Sequence, residues 1–188
     1  MRGTNSYTCV YKHCGIVVDT GLTHAWNASG NTYTGAGGRG AGYANCDLHA
    51  YLKSTVLSQI NSDLGGGHVY AHQKLLTTGV NTSGYNRYSS ASGCSNNWAW
   101  SEEYISALTE MQVYGGTIWS SSGYDTGEAD QQLEVFRRYK HTDIFEGRYP
   151  WLRDISSASS ACYAYDYGGA FSNTASYAYY VAALILFH

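Results

Sequence analysis

The sequence predicts a single α+β domain, with two helices packed on a small twisted antiparallel sheet and long loops between them. Three observations carry this. Leu48, Leu52, Val56, Ile60 and Leu64 recur every four residues, which marks one apolar face of a helix. The stretch Cys162-Tyr-Ala-Tyr-Asp-Tyr167 alternates with period two and runs into Gly168-Gly169, the signature of a strand and a two-residue hairpin turn. Val181-Ala-Ala-Leu-Ile-Leu-Phe187 is apolar throughout and suits a buried strand. Helical signals come before the last strands, so the two classes read as segregated along the chain.

In chain order, residues 1–43 form an N-terminal strand and loop segment that is part of, or leads into, a domain over 44–188. Cys14-Gly-Ile-Val-Val-Asp19 suits a strand, and Trp26 a second start. The glycines from Asn31 to Gly42 lack the order of a phosphate loop and read as a surface loop. The first helix spans about Asn45 to Leu64, with Asn45 or Asp47 as cap and Gly65-Gly66-Gly67 as stop. His68 and His72 stand four apart, a spacing that would share a helix face, but no HExxH pattern accompanies them. A second helix is expected over Ser101–Tyr114, capped by Ser101, with Glu102 and Glu103 in its first turn and Gly115-Gly116 behind it. Thr117-Ile-Trp119 reads as a short strand. Trp151–Ile155, Cys162–Tyr167, a run from Ala170 and Ser176–Phe187 are the later strands.

Composition excludes several classes. The 188 residues carry a net charge of −3 and a pI near 6.1, not the basic footprint of a nucleic-acid binder. The longest apolar run falls far short of the ~20 residues that cross a bilayer, so no membrane insertion is expected. No apolar leader stands at the N-terminus, and no signal peptide is read in this chain. Five cysteines without a CxxC pair read as buried thiols rather than a zinc site.

Two groups carry candidate chemistry. Asp125, Glu128 and Asp130 form the densest acidic group. They could supply oxygen ligands to Ca²⁺, but without the order of an EF-hand loop, and a capped turn explains them as well. The tyrosines say more. Six of 19 lie between Tyr163 and Tyr180, among Ser, Asn, Thr, Gly and Ala. Tyrosine gives stiff, amphipathic contact area, and the small polar residues add adaptable hydrogen bonds, as in an antibody paratope. A Tyr-rich sheet face packed on a neighbour has the same composition.

Trp98-Ala-Trp100, Glu110-Met-Gln-Val-Tyr-Gly115, Thr117-Ile-Trp-Ser-Ser-Ser-Gly-Tyr-Asp-Thr-Gly127, Trp151-Leu-Arg153, Ser157-Ala-Ser159 and the Tyr/Ser/Asn tract to Val181 resemble a family of C-type-lectin-fold domains. These occur in gut bacteria and their phages as variable, ligand-binding proteins of diversity-generating retroelements. The resemblance covers about residues 44–187. Members often carry Val-Arg-Pro before the last strand, whereas Val181 is followed here by Ala182-Ala183. It implies a C-type-lectin-like fold with a variable region at about 151–181, where adenine randomisation of AAC codons cannot produce Lys, Glu, Gln, Met or Trp. Those types make up 22 of 188 residues, yet none occurs from Asp154 to Tyr180, where about three would be expected from the average.

The expected function is therefore ligand binding without catalysis. The fold is shared with formylglycine-generating enzymes, but these need a reactive cysteine pair and Cys162 has no cysteine near it in sequence. The expected contact residues are Tyr163, Tyr165, Asp166, Tyr167, Phe171, Ser172, Asn173, Tyr177, Tyr179 and Tyr180, with Trp151 and Arg153 as frame. The resemblance implies a cell-surface protein or glycan as partner and a phage tail as location, with host attachment as the role. A variable protein on a bacterial surface, or a structural tail module, is the alternative. A homo-oligomer is expected, a trimer if the chain sits in a tail fibre. No cofactor is expected, calcium apart.

Overall fold

The computed structural model describes residues 14–33, 42–82, 95–120 and 132–187. The chain is mixed α and β, with several small antiparallel sheets and few helices. Among the described residues the strands are β1 (Cys14–Ala25), β2 (Val69–Tyr70), β3 (His72–Val80), β4 (Ser95–Glu103), β5 (Ile105–Ala107), β6 (Trp151–Ile155), β7 (Ser160–Ala164), β8 (Ala170–Thr174) and β9 (Ala178–Phe187). The segregation expected from the sequence is thus corrected, because strands occur from the first described residues to the last. The reason is pairing at long range. β1 lies antiparallel on β9 from Cys14 opposite Phe187 to Ala25 opposite Ala178, with an irregularity between Asp19 and Thr23. On the other edge of β9 lie β2 and β5.

β9 explains its own sequence. Val181, Ala183 and Ile185 face one core with Trp26, Leu48, Leu52 and Trp151. Ala182 and Leu184 face a second core with Leu108, Phe136, Phe145 and Leu152. A strand covered on both sides has no polar face, so its residues do not alternate. The sheet β6-β7-β8 divides its side chains in the same way, with Trp151, Ile155, Ala161 and Tyr163 in the first core and Leu152, Cys162 and Ala164 in the second.

Helix α1 runs in three contiguous segments, Asp47–Tyr51 (α), Leu52–Val56 (π) and Leu57–Leu64 (α). The cap is neither Asn45 nor Asp47. Cys46 takes that place, and its Sγ accepts from the His49 amide at 3.4 Å. The Asp47 carboxylate instead accepts from the Ala28 amide at 2.7 Å. Strict four-residue spacing drifts about 40° per step around an α-helix. The wider π turn offsets that drift, and Leu48, Leu52 and Val56 are all buried. Beyond it the stripe turns away. Ile60 is half-buried and Leu64 is 48% exposed, which corrects the expectation of one apolar face along the whole helix.

The helix expected over Ser101–Tyr114 is mostly strand. Ser101 and Glu103 belong to β4, Ile105–Ala107 is β5, and only Glu110–Tyr114 forms helix α2. A capping box at Thr109 starts α2, with Thr109 Oγ1 accepting from the Gln112 amide and Gln112 Oε1 from the Thr109 amide. Gly115, at φ +78°, ends it as expected. The spacing of Ile105 and Leu108 matched a helix turn, but both are buried as strand and connector. Thr117–Trp119 is not a strand, because the Glu110 carboxylate folds it into a turn. His68 and His72 do not share a helix, since His72 opens β3 opposite Glu103. Two further short helices, α3 (Glu134–Arg138) and α4 (His141–Ile144), precede β6.

Candidate functional site

The β7–β8 hairpin forms as the alternation requires, but its connection is longer than a two-residue glycine turn. β7 ends at Ala164, and Tyr165–Gly169 loop out, closed by the Tyr165 amide donating to Gly169 O at 2.8 Å. This loop, β8 and the turn into β9 gather aromatic rings at one end of the domain. Tyr163 is the hub. Its ring lies 4.6 Å from Tyr179, 5.9 Å from Tyr149 and 6.1 Å from both Trp151 and Phe171. Tyr149 stacks on Tyr165 at 5.7 Å, Tyr165 meets Tyr167 at 5.3 Å, and Tyr177 meets Tyr179 at 6.4 Å. Centroid spacings of this size suit edge-to-face and offset aromatic packing.

Exposure is graded across the array. Tyr163 is only 5% exposed and lies beneath the others. Burial first, and then Tyr179, push its phenol above the usual range. Tyr165, Asp166, Ser172, Asn173 and Tyr179 are half-buried. Tyr167 is 84%, Tyr177 54% and Phe171 41% exposed. Tyr180 has the opposite parity on β9 and leaves the array. It lies under the Arg148 guanidinium at 5.1 Å, and Arg148 pairs with Asp19 and Glu146.

Hydrogen bonds fix the array. The Asn173 amide donates to Tyr179 Oη at 2.7 Å, and Tyr149 Oη donates to Asp166 Oδ2 at 3.1 Å. That bond raises the Tyr149 phenol, with burial adding to it. Tyr149 and Trp119 were not among the residues expected from the sequence. Trp119 packs on Phe171 at 4.6 Å and donates its indole N–H to Ser172 Oγ at 2.8 Å. Its place is set by the buried Glu110 carboxylate. That group accepts from the amides of Ile118, Trp119 and Ser120 at 2.9, 2.9 and 3.2 Å, and from Ser120 Oγ at 2.7 Å. No sequence period could have placed Trp119. Tyr149 had one signal, its position ahead of Pro150 and the Trp151-Leu-Arg153 stretch.

Beneath lies the frame. Trp151, Arg153 and Asp154 are fully buried. Trp151 Nε1 donates to His24 O at 2.9 Å, and the Asp154 carboxylate accepts from the Glu110 amide at 2.8 Å. Cys162 is a buried free thiol, pushed up by burial and then by the Glu110 and Asp154 carboxylates.

A second polar cluster went unread in the sequence, where Glu103 looked like a first-turn helix residue. Glu103 is fully buried. Its Oε2 accepts from His49 Nε2 at 2.9 Å, and its Oε1 takes Lys53 Nζ at 3.3 Å and Ser101 Oγ at 2.5 Å. His49 Nδ1 faces Ala44 O at 3.0 Å. Burial alone would raise the Glu103 carboxyl. The hydrogen bond and charge of His49, with Ser101 and Lys53, outweigh it and hold the group down at about 2.

Asp125, Glu128 and Asp130 lie outside the described residues. Among the described residues, no three His, Cys, Asp or Glu side chains come together to hold a metal, and no helix is long and apolar enough to cross a membrane. No family model, curated protein or solved structure matches the chain.

Proposed function

We propose that this chain is a ligand-binding domain of C-type-lectin type, which engages a cell-surface receptor through its aromatic face. The observation that carries the reading is that Tyr167, Phe171, Tyr177 and Trp119 stand exposed at one end, each anchored to a ring or hydrogen bond below it. Stiff aromatic anchors held in place before binding lose little entropy on contact. The lectin-type fold is supported by β1 and β9, the first and last described strands, which pair and close the chain while the small sheet β6-β7-β8 carries the face.

Within that reading the chain is a binder rather than an enzyme. Its partner is a protein or glycan on a bacterial surface, and its place is a phage tail, where it attaches the particle to its host. Display on a bacterial surface is the alternative setting for the same face. The face residues are Tyr165, Asp166, Tyr167, Phe171, Ser172, Asn173, Tyr177 and Tyr179, with Tyr163 as their support and Tyr180 beside Arg148.

Two tests bear on this. Binding of the labelled full chain to a panel of intact gut bacteria should single out particular strains and should fall with Tyr177→Ala. Uniform binding to all strains, or none, sinks the reading. The genomic surroundings should contain a reverse transcriptase and a near-repeat of the codons for 151–181 that differs at adenines.

A further inference from the structure

We propose that a cleft beside the aromatic face is a separate subsite for one neutral sugar ring. The cleft has a volume of about 470 Å³, ample for a hexose, and lies between α2, Gln132, the α3–α4 connection and the Asp166–Gly168 part of the hairpin loop. Among the described residues, Phe171, Tyr177 and Tyr179 do not line it. The inference rests on the binding reading above only through the shared Asp166 and Tyr167.

The floor of the cleft is held rigid. Tyr114 Oη donates to Gly169 O at 2.6 Å, His141 Nε2 bonds Tyr165 O at 2.8 Å, and the two rings meet edge-on at 4.9 Å. The walls mix donors and acceptors. Lys140 brings an ammonium and Thr142 a hydroxyl. Gln132 Nε2 donates to Val113 O at 3.0 Å, which leaves Oε1 as acceptor. Asp166 brings a carboxylate, and Tyr167 an almost fully exposed ring.

This set selects a ligand class. Asp166 and Lys140 offset each other in charge, so these two walls give neither an anion nor a cation the advantage. A sugar hydroxyl donates and accepts at once, and so uses both kinds of wall. The C–H face of a sugar ring suits the apolar face of Tyr167, in the way that ligand sites combine aromatic walls with a few placed polar groups. The loop also has an unmet need. Asp166 Oδ2 accepts from Tyr149, but Asp166 Oδ1 is buried with no hydrogen-bond partner.

Saturation-transfer NMR on the full chain tests this, with methyl β-D-galactoside, methyl α-D-glucoside and methyl N-acetyl-β-D-glucosaminide at about 5 mM each, enough to detect a Kd near 1 mM. At least one should receive saturation on its ring protons. Thr142→Val and Tyr167→Ala should each weaken it by about fivefold or more, near one modest contact, with an unchanged melting temperature. Phe171→Ala should leave it unaltered. The proposal is overturned if no glycoside is saturated, if both cleft variants bind as well as the parent, or if N-acetylneuraminic acid binds better than every neutral sugar. Failure of the aromatic face looks different: Tyr177→Ala would leave cell binding intact while the sugar signal persists.

Discussion

Acid should remove a defined part of the stability, and Glu103 should be the group responsible. Its carboxyl sits at about 2 in the folded chain, against an ordinary 4.5. A depressed carboxyl contributes its stabilisation in full above the unfolded value. That contribution fades as the pH falls from about 4.5 toward 2, and it is gone below. At about 1.4 kcal/mol per tenfold, the whole displacement corresponds to about 3 kcal/mol. The Lys53 side chain is 41% exposed, so solvent screens part of this, and about 1–2 kcal/mol is the expected share. Glu103→Gln removes the titration while keeping one acceptor oxygen for His49. At pH 7 the variant should lose about 2–3 kcal/mol, less than the ~3–5 kcal/mol for a wholly uncompensated buried charge. Urea unfolding of both proteins at pH 7, 5, 4 and 3 reads the difference directly. The other carboxylates cancel between the two proteins when they act independently. From pH 5 to pH 3 the gap should shrink by about 1 kcal/mol or more. A gap that stays flat to pH 3 would falsify this assignment of the acid-sensitive group.

Further expectations are simpler. Leu52→Ala, at a fully buried site of α1, should cost ~2–5 kcal/mol, while Leu64→Ala should stay within ~0.5 kcal/mol; equal losses would contradict the turning of the stripe after the π segment. Glu110→Ala should destabilise by about 2–4 kcal/mol, since it removes several charge-assisted bonds from a half-exposed turn, and it should also free the Trp119 indole. A tryptophan emission spectrum unchanged from the parent would argue against that link. Tyr163→Ala should cost about 3 kcal/mol, as for a buried aromatic, whereas Tyr177→Ala should leave unfolding within ~0.5 kcal/mol and weaken receptor binding by ~1 kcal/mol or more. Similar unfolding midpoints for the two variants would refute the division into support and contact residues.

Local periodicity made some of the structure legible in the sequence. The helix at 47–64 and the β7–β8 hairpin follow from side-chain spacing within one segment, because helix and strand present their faces at fixed intervals, and the buried final strand follows from its unbroken apolar run. The placing of Tyr163, Tyr165, Tyr167, Tyr177 and Tyr179 in one region also follows from a hairpin and the strand after it. Depth did not follow. Period two treats Tyr163 and Tyr167 alike, yet Trp151, Tyr149, Phe171 and Tyr179 surround the first and leave the second 84% exposed. The stretch 101–107 reads as helix by its cap and spacing, and pairing of Ile105–Ala107 with β9 decided for strand. Glu103 read as a first-turn helix residue and Glu110 as part of the same helix. One is buried because β4 carries it against His49 of α1, and the other because the turn at 118–120 wraps around its carboxylate. In each case the deciding partner lies far away in sequence or in an irregular turn, so only the tertiary structure could choose it.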